Sequence, residues 1–237
     1  MVDGSPGEFA MDISVIIPVL NEAAIIADTI QRTRDLGECE IVVVDGGSED
    51  GTTEAASSAD RCMRSSRGRA RQQNAGGALA TGDVLLFLHA DCWLEPGAFD
   101  AVRRALADER CVAGCFRQRI DNDGWAYRLV ERGNALRVRV LGWIYGDQAL
   151  FIRKEVFDRV GGFPQVDLME DLYLAKRLKR EGRMRLIDHA VHVSPRRWQQ
   201  IGLIRQTLRN WIFIALAACG VSPTVLARHY SDVRSSF

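Results

Sequence analysis

The chain carries no net charge, because its 31 lysine and arginine residues balance 31 aspartate and glutamate residues. The overall charge therefore gives no reason to expect binding to nucleic acid. The six cysteines form no C-x-x-C pair, and their spacings match no zinc signature. No signal peptide is visible, so we expect free thiols in a reducing compartment and a cytoplasmic protein.

Long apolar runs are also missing. The apolar stretch at residues 211–219 is shorter than the ~20 residues that span a bilayer. It lies in a tail that we expect to be helical, where Ile201, Ile204, Leu208 and Trp211 recur at helical spacing. Such a stripe can pack on the core, form a homodimer or lie peripherally on the inner face of a membrane. We favour packing or dimerisation and leave membrane contact open.

The dinucleotide-binding fingerprint is absent as well, although one segment approaches its form. The apolar run at residues 41–44 leads into Asp45, Gly46, Gly47 and Ser48. Such a run predicts a buried strand of a parallel sheet, with the carboxylate at the edge where open α/β sheets bind ligands. The fingerprint requires glycine where Ser48 stands, which disfavours a dinucleotide-dependent dehydrogenase.

What the sequence does contain is a regular alternation of strand-like and helix-like stretches. The expected strands lie at residues 13–19, 40–44, 62–66 and 84–89, and the expected helices at 23–36, 48–59, 69–80 and from 96 to about 107. This alternation predicts an α/β fold, in which a Rossmann-like, doubly wound, mostly parallel sheet has helices on both faces. The later pattern is less regular, with strands expected at 112–120, 149–152, 184–187 and 190–193 and helices at 125–140 and 170–181.

Acidic and amide side chains follow three of the expected strands. Asn21, Glu22, Asp45 and Asp91 each come just after a strand end. Because the carboxyl ends of parallel strands meet at one edge, we expect these groups to converge. Clustered carboxylates need a compensating cation, which indicates a divalent metal held together with phosphate oxygens. The arginines at residues 67–71 would supply countercharge for a diphosphate.

The order of these motifs resembles one known family. The matching segments are residues 14–22 (SVIIPVLNE), 43–52 (VVDGGSEDGT), 67–76 (RGRARQQNAG), 86–91 (LFLHAD), 161–163 (GGF), 170–171 (ED) and 196–198 (RRW). Each is weak alone, but the ordered series is similar to the family 2 glycosyltransferases with the GT-A fold.

The resemblance implies a nucleoside-diphosphate sugar donor and a role for each matching residue. The donor would be bound by residues at the strand ends and in the arginine-rich segment, namely Pro18, Asn21, Glu22, Asp45, Gly47, Arg71, Asn74, His89, Ala90 and Asp91. Asp91 resembles the final acid of the D-x-D motif, which holds Mg²⁺ or Mn²⁺ against the diphosphate. Asp171 resembles the general base that deprotonates the acceptor hydroxyl, and a single direct displacement implies inversion at the anomeric carbon.

Other residues would belong to the acceptor side. The resemblance implies a lid over the phosphates and acceptor at Arg197 and Trp198, and Glu170 would orient Asp171 or begin its helix. Asp147 and Gln148 line an acceptor pocket or form a plain turn. The acceptor is unknown, and a lipid-linked one stays open.

The chain departs from the family pattern at His89, which stands where the first acid of D-x-D is usual. A histidine there could hydrogen-bond the ribose or ligate the metal as neutral imidazole. His192, in a strand-like segment, is a second candidate ligand. A buried histidine is more often only hydrogen-bonded.

We expect residues 1–10 to be an expression remnant, 11–112 the nucleotide-sugar-binding half, 113–200 the acceptor-binding and catalytic half of the same domain, and 201–237 a helical tail. Two other functions remain open at this point. A nucleotidyltransferase would share the sheet, but it usually has a basic glycine-rich loop where residues 21–24 read Asn-Glu-Ala-Ala. A non-catalytic nucleotide-sugar-binding module would not require Asp171.

Overall fold

The computed structural model describes residues 11–166, 168–195, 198–199, 202–218, 221 and 225–226. They form one eight-stranded sheet with helices on both faces. The strands are β1 (Ile13–Val19), β2 (Glu40–Asp45), β3 (Arg61–Arg64), β4 (Val84–Phe87), β5 (Cys92–Leu94), β6 (Cys111–Ile120), β7 (Phe151–Arg153) and β8 (Arg183–Val193). The helices are α1 (Ile26–Arg34), α2 (Thr52–Ala55), α3 (Arg69–Leu79), α4 (Ala98–Leu106), α5 (Trp125–Leu141), α6 (Lys154–Val160), α7 (Glu170–Glu181) and α8 (Leu203–Ala218).

The strand order across the sheet is β3-β2-β1-β4-β7-β6-β8-β5. Strands β3, β2, β1 and β4 are mutually parallel, and β6 is parallel to β8. Strand β7 is antiparallel to both of its neighbours, and β5 is antiparallel to β8. The α/β class and the mostly parallel sheet are therefore confirmed, and strands from both predicted halves share one sheet.

The alternation of side chains along β1 explains why the sheet is covered on both faces. Ile13, Val15 and Ile17 enter one apolar cluster together with α1 and α4. Ile16, between them, enters a second cluster with α3, α6 and α7. Successive strand residues point to opposite faces, so a strand with apolar residues on both faces requires cover on each side.

Several boundaries differ from the sequence-based expectation. The second helix, expected at 48–59, is only the short α2, because side chains organise the preceding turn. Asp50 accepts the backbone N–H of Thr52 at 3.1 Å, and Gly51 has a φ of +84°. Side-chain bonds of this kind compete with helix formation. The fourth strand ends at Phe87, and residues 184–193, expected as two strands, form part of the single strand β8.

Two elements were not expected from the sequence. Strand β5 has three residues and is formed by pairing with β8, 97 or more residues later in the chain. Helix α6 has seven residues and ends at Gly161, with a φ of +77°. Both are too short for a periodic pattern to be distinguished from a loop.

Candidate active site

Asp45, at the end of β2, is fully buried. Its carboxylate accepts hydrogen bonds from the Ser48 backbone N–H at 2.9 Å and the Ser48 hydroxyl at 2.5 Å. Burial by itself raises the pKa of Asp45, but the hydrogen bonds from Ser48, Gly47 and Thr53 outweigh it and hold the pKa below its ordinary value. Asp45 is therefore a fixed anion, and Arg64 lies 3.4 Å from it on the exposed side.

The loop after β1 is attached to the same turn. Asn21 adopts a φ of +56°, donates its backbone N–H to the Ser48 hydroxyl at 2.9 Å, and accepts the Glu49 N–H at 3.0 Å. The Glu22 N–H donates to the Thr52 hydroxyl at 2.8 Å. Pro18 is half-buried within β1. The structure thus brings the predicted donor residues of the first two strands together at one edge of the sheet.

Gln72 joins these two strand ends, and sequence reasoning missed it. Its side-chain NH₂ donates to the carbonyl oxygens of Val19 at 2.8 Å and Val44 at 2.9 Å. Gly46 lies directly against this amide, since a Cβ there would be 3.0 Å from the Gln72 side chain. No local sequence pattern marks this residue, because its role depends on two strand ends that are distant in the chain.

The arginine-rich segment is arranged differently from the sequence expectation. Arg71 donates to the carbonyl of Arg67 at 3.0 Å on the exposed start of α3. The Asn74 side-chain amide donates to the Phe163 carbonyl oxygen and accepts the Phe163 backbone N–H, both at 2.8 Å. Neither lines the pocket described below, whereas Arg69 does.

A pocket with a volume of about 120 Å³ lies between α3, the β4–β5 turn, the loop before β7, and helices α7 and α8. Its polar lining consists of Arg69, His89, Tyr145, Gly146, Asp147, Asp171, Trp198 and Asn210. Its apolar lining consists of Leu168, Met169 and Phe213. Asp171, the predicted base, therefore shares a pocket with His89 of the expected metal motif and with Asp147.

Asp171 is at the N-terminus of α7. Its carboxylate accepts the backbone N–H of Gly146 at 2.5 Å and that of Leu172 at 2.7 Å. Burial, and next the neighbouring Glu170 carboxylate, raise the pKa of Asp171 to about 7, against the opposing effect of the two N–H donors and Arg69. A carboxylate with a pKa near neutrality can both accept and release a proton at physiological pH.

Glu170 is buried and faces Arg69, with 3.8 Å between the charged atoms. Its negative charge is one of the causes of the raised pKa of Asp171. The structure therefore places Glu170 behind the base rather than in the pocket lining.

Gly146 lies between His89 and Asp171. A Cβ on this residue would lie 3.0 Å from His89 Nε2 and 3.5 Å from Asp171 Oδ2. The absence of a side chain therefore lets the backbone approach the His89 imidazole closely, while the distance to Asp171 would be an ordinary contact.

Asp147 is held by a chain of buried polar side chains. Gln118 donates to Asp147 at 2.7 Å, Asn134 donates to Gln118 at 2.6 Å, and Arg137 donates to Asn134 at 3.0 Å. The same buried guanidinium donates to Gln148 at 2.8 Å and lies 3.6 Å from the centre of the Tyr145 ring. The turn at Asp147 and Gln148 is therefore rigidly anchored to α5, which a plain surface turn would not require.

His89, Asp91 and Cys92 bring potential metal ligands to within 4.8 Å of one another. Asp91 is exposed, and the buried Cys92 thiol donates to it at 3.6 Å. An imidazole and a carboxylate suit Mn²⁺, and the carboxylate also suits Mg²⁺. The thiol is a poorer ligand for either ion, so we assign it to packing. The residues present fit a divalent cation at this turn.

The structure does not support the suggestion that His192 is a metal ligand. Its ring stacks on Trp93 with 3.6 Å between centroids, and its Nδ1 lies 2.6 Å from Asp121. It is not part of the cluster formed by His89 and Asp91, and it does not line the pocket. The pairing of β5 with β8, which the sequence does not reveal, puts His192 beside Trp93.

The predicted lid is only partly described. Arg197 lies outside the described residues. Trp198 is buried and lines the pocket, and its indole N–H has no hydrogen-bond partner among the described residues. A buried donor facing a pocket is free to bond a ligand oxygen.

Comparisons with known proteins identify sequence relatives and solved structures of the same fold. The family model described as glycosyl transferase family 2 matches residues 14–164. Glycosyltransferase AglE of Haloferax volcanii is 28% identical over 172 residues, covering 64% of this chain and 56% of that protein. Glycosyltransferase AglJ of the same organism is 47% identical over 47 residues, covering 20% of this chain and 16% of that protein. The chain thus spans little more than half of AglE.

Two solved structures share the fold. A fragment of S. aureus TarS, residues 1–349, matches with a TM-score of 0.62 at 16% identity, covering 78% of this chain and 61% of that one. Glucosyl-3-phosphoglycerate synthase from Mycobacterium tuberculosis matches with a TM-score of 0.55 at 20% identity, covering 78% and 69%. Because the family model matches more than half of the sequence, the chain belongs to glycosyl transferase family 2.

Proposed function

We propose that this protein transfers a sugar from a nucleoside-diphosphate sugar to an acceptor hydroxyl, with inversion at the anomeric carbon and with Asp171 as the general base. The observation that carries the proposal is the pocket in which Asp171, whose pKa is raised to about 7, faces Arg69 and His89. Related folds support the donor class, since the TarS fragment was also solved with UDP-GlcNAc and the synthase with Mn²⁺, UDP and phosphoglyceric acid.

The residues divide between donor and acceptor. Asp45, with Pro18, Asn21, Glu22 and Gly47 around it, would hold the nucleoside by offering a fixed anion to its hydroxyl or base N–H groups. Ala90, buried in the turn between His89 and Asp91, would fix their spacing. Arg69 and the Trp198 indole N–H would bind phosphate oxygens and stabilise the charge of the departing diphosphate. Arg71 and Asn74 remain weaker candidates, because their polar groups bond the protein backbone.

A divalent cation, Mg²⁺ or Mn²⁺, would be held by Asp91 with His89 as the second ligand. When bound, it would act as a Lewis acid that neutralises charge on the diphosphate. The protein itself supplies the base. Asp171 would take the proton of the acceptor hydroxyl as that oxygen bonds to the anomeric carbon, and Asp147, fixed by Gln118, would orient the acceptor.

The test begins with a panel of UDP-, GDP- and TDP-sugars with Mn²⁺, where a bound donor raises the melting temperature. With the donor so identified, Asp171→Asn should reduce kcat by at least ~100-fold, because the acceptor hydroxyl loses its base, while donor binding persists. The matched control is Asp158→Asn on the exposed end of α6, which should leave kcat unchanged. Proton NMR of the product should show the inverted anomer.

Wild-type kcat in Asp171→Asn would contradict the base assignment. A retained anomeric configuration would contradict the single displacement. In Asp91→Ala, an unchanged requirement for Mn²⁺ would show that the cation is held elsewhere.

A further inference from the structure

Helix α5 presents an apolar face to solvent that the proposed reaction does not use. Trp125 is 79% exposed, Leu129 62%, Leu136 62% and Val140 66%. Their spacings of 4, 7 and 4 residues place all four on one side of the helix, where they form a stripe about 20 Å long. The opposite side carries Ala135 and Val138, which are buried. Single exposed leucines are ordinary, but a continuous stripe of four large apolar side chains is not.

The charged side chains that α5 presents beside this stripe are positive. Arg132 and Arg139 lie beside the stripe by helical spacing, and both are exposed. Within α5, which the structure describes in full, the single acidic residue is Glu131. It is turned away from the stripe, since it accepts the Ile120 N–H at 2.6 Å and pairs with Arg128 at 2.8 Å. Asp188 approaches Arg139 only to 3.8 Å, and both side chains are mostly exposed.

Helix α8, which packs beside α5, repeats this combination. Leu208, Ile212 and Leu216 recur every four residues and are exposed, and Arg205 is exposed near them. The sequence of α8 contains no acidic residue. Its other side is occupied, because Phe213 is buried and, with Asn210, lines the pocket. Among the described residues no helix is long and apolar enough to cross a bilayer.

We propose that the outer face of α5 (Trp125, Leu129, Arg132, Leu136, Arg139 and Val140) docks on an anionic lipid bilayer. Apolar side chains in a row, a tryptophan at the end and arginines as the charged residues are the composition that binds at the interface of acidic membranes. A second copy fits less well. In a two-fold contact the same arginines would face each other; α5 itself offers no carboxylate on this side, and Asp188 of β8 approaches Arg139 but not Arg132.

The experiment measures binding of the full chain to vesicles of phosphatidylcholine alone or with 30 mol% phosphatidylglycerol. We expect co-sedimentation with the anionic vesicles, at least tenfold weaker binding to the zwitterionic ones, and loss of binding in high salt. Brominated lipid should quench the tryptophan emission, and Trp125→Phe should remove a large part of that quenching.

The variants separate the docking face from general charge. Leu129→Gln combined with Leu136→Gln should weaken vesicle binding at least tenfold, and Arg132→Glu should weaken it as well. Both positions are exposed, and glutamine is a good helix former, so the fold should be retained. The matched control is Arg180→Glu on the exposed end of α7, which should bind as the wild type does.

Equal binding to both vesicle types, or unchanged binding by the double variant, would overturn the proposal. The proposal would also be overturned if the protein did not bind vesicles and instead formed a dimer that is lost in the double variant, because the face would then bind a second copy of the chain. These readouts need no sugar donor, so they are independent of the outcome for Asp171.

Discussion

At the scale of single residues, the site depends on where backbone N–H groups and small side chains allow carboxylates to be placed. Asp45 is buried and Asp171 is partly buried at the pocket, and their pKa values move in opposite directions. Hydrogen bonds centred on Ser48 outweigh burial at Asp45, whereas burial and Glu170 outweigh two N–H donors at Asp171. The first is therefore suited to binding and the second to proton transfer.

Gly146→Ala should damage the reaction more than the fold. The new Cβ would lie 3.0 Å from His89 Nε2, so the imidazole must shift by a few tenths of an ångström, while its 3.5 Å distance from Asp171 Oδ2 is an ordinary contact. We expect kcat/KM to fall roughly 10- to 100-fold, because catalytic groups tolerate little displacement. Steady-state kinetics and thermal melting would measure the two effects separately.

The control for this substitution is Gly133→Ala in α5, where a Cβ would meet nothing within 4 Å. It should raise stability by up to about 1 kcal/mol, because alanine is the better helix former, and leave kcat/KM unchanged. Wild-type kinetics in Gly146→Ala would show that the close packing there has no catalytic consequence.

At the scale of elements, side chains join segments that are distant in sequence. Gln72 of α3 joins the ends of β1 and β2, and Asn74 of the same helix joins the turn after α6. The buried Arg137 of α5 supports the turn that carries Asp147 and Gln148. Each element at the site is thus positioned by a polar group from another element, which fixes the site more firmly than its own loops could.

Asn74→Ala tests whether that residue is structural or binds the donor. It would remove two hydrogen bonds to the Phe163 backbone and leave a part-buried N–H and carbonyl without partners. We expect the free energy of unfolding to fall by about 1 to 3 kcal/mol, with little change in KM for the donor. Urea unfolding and donor titration would measure these quantities. A raised KM at unchanged stability would return Asn74 to the donor site.

At the scale of the whole molecule, the parallel strands of the sheet gather the predicted donor residues, while the pocket joins Arg69 and His89 of the first predicted half to Tyr145, Asp147 and Asp171 of the second. Membership of glycosyl transferase family 2 favours a glycosyltransferase over the two alternatives that the sequence left open, a nucleotidyltransferase and a non-catalytic nucleotide-sugar-binding module. Because residues from both predicted halves of the chain line the pocket, its chemistry requires the whole sheet to be folded.

The raised pKa of Asp171 also makes global stability depend on pH. The folded state binds this proton more tightly than the unfolded state does, because the pKa is about 7 when folded and roughly 4 when unfolded. The free energy of unfolding should therefore decline as the pH rises from about 4 to about 7. Above about pH 7 the titration of Asp171 should change it little. Asp171→Asn removes the charge and keeps an acceptor for the Gly146 N–H.

The variant should thus be more stable than the wild type at pH 8, by on the order of 1 to 3 kcal/mol, and similar to it near pH 4. Thermal melting between pH 4 and pH 8, with EDTA to remove metal ions, would measure the difference. A constant difference across this range would mean that Asp171 titrates normally.

The α/β class, the first strands and helices, and the convergence of Asn21, Glu22 and Asp45 were predictable from the chain alone, because they follow from local periodicity and from the rule that parallel strands end at one edge. Three features became visible only in the folded chain: β7 is antiparallel, His192 stacks on Trp93, and Arg69 rather than Arg71 reaches the pocket. These features are set by contacts between residues far apart in the chain, and a local pattern carries no information about which distant partner will compete for a side chain.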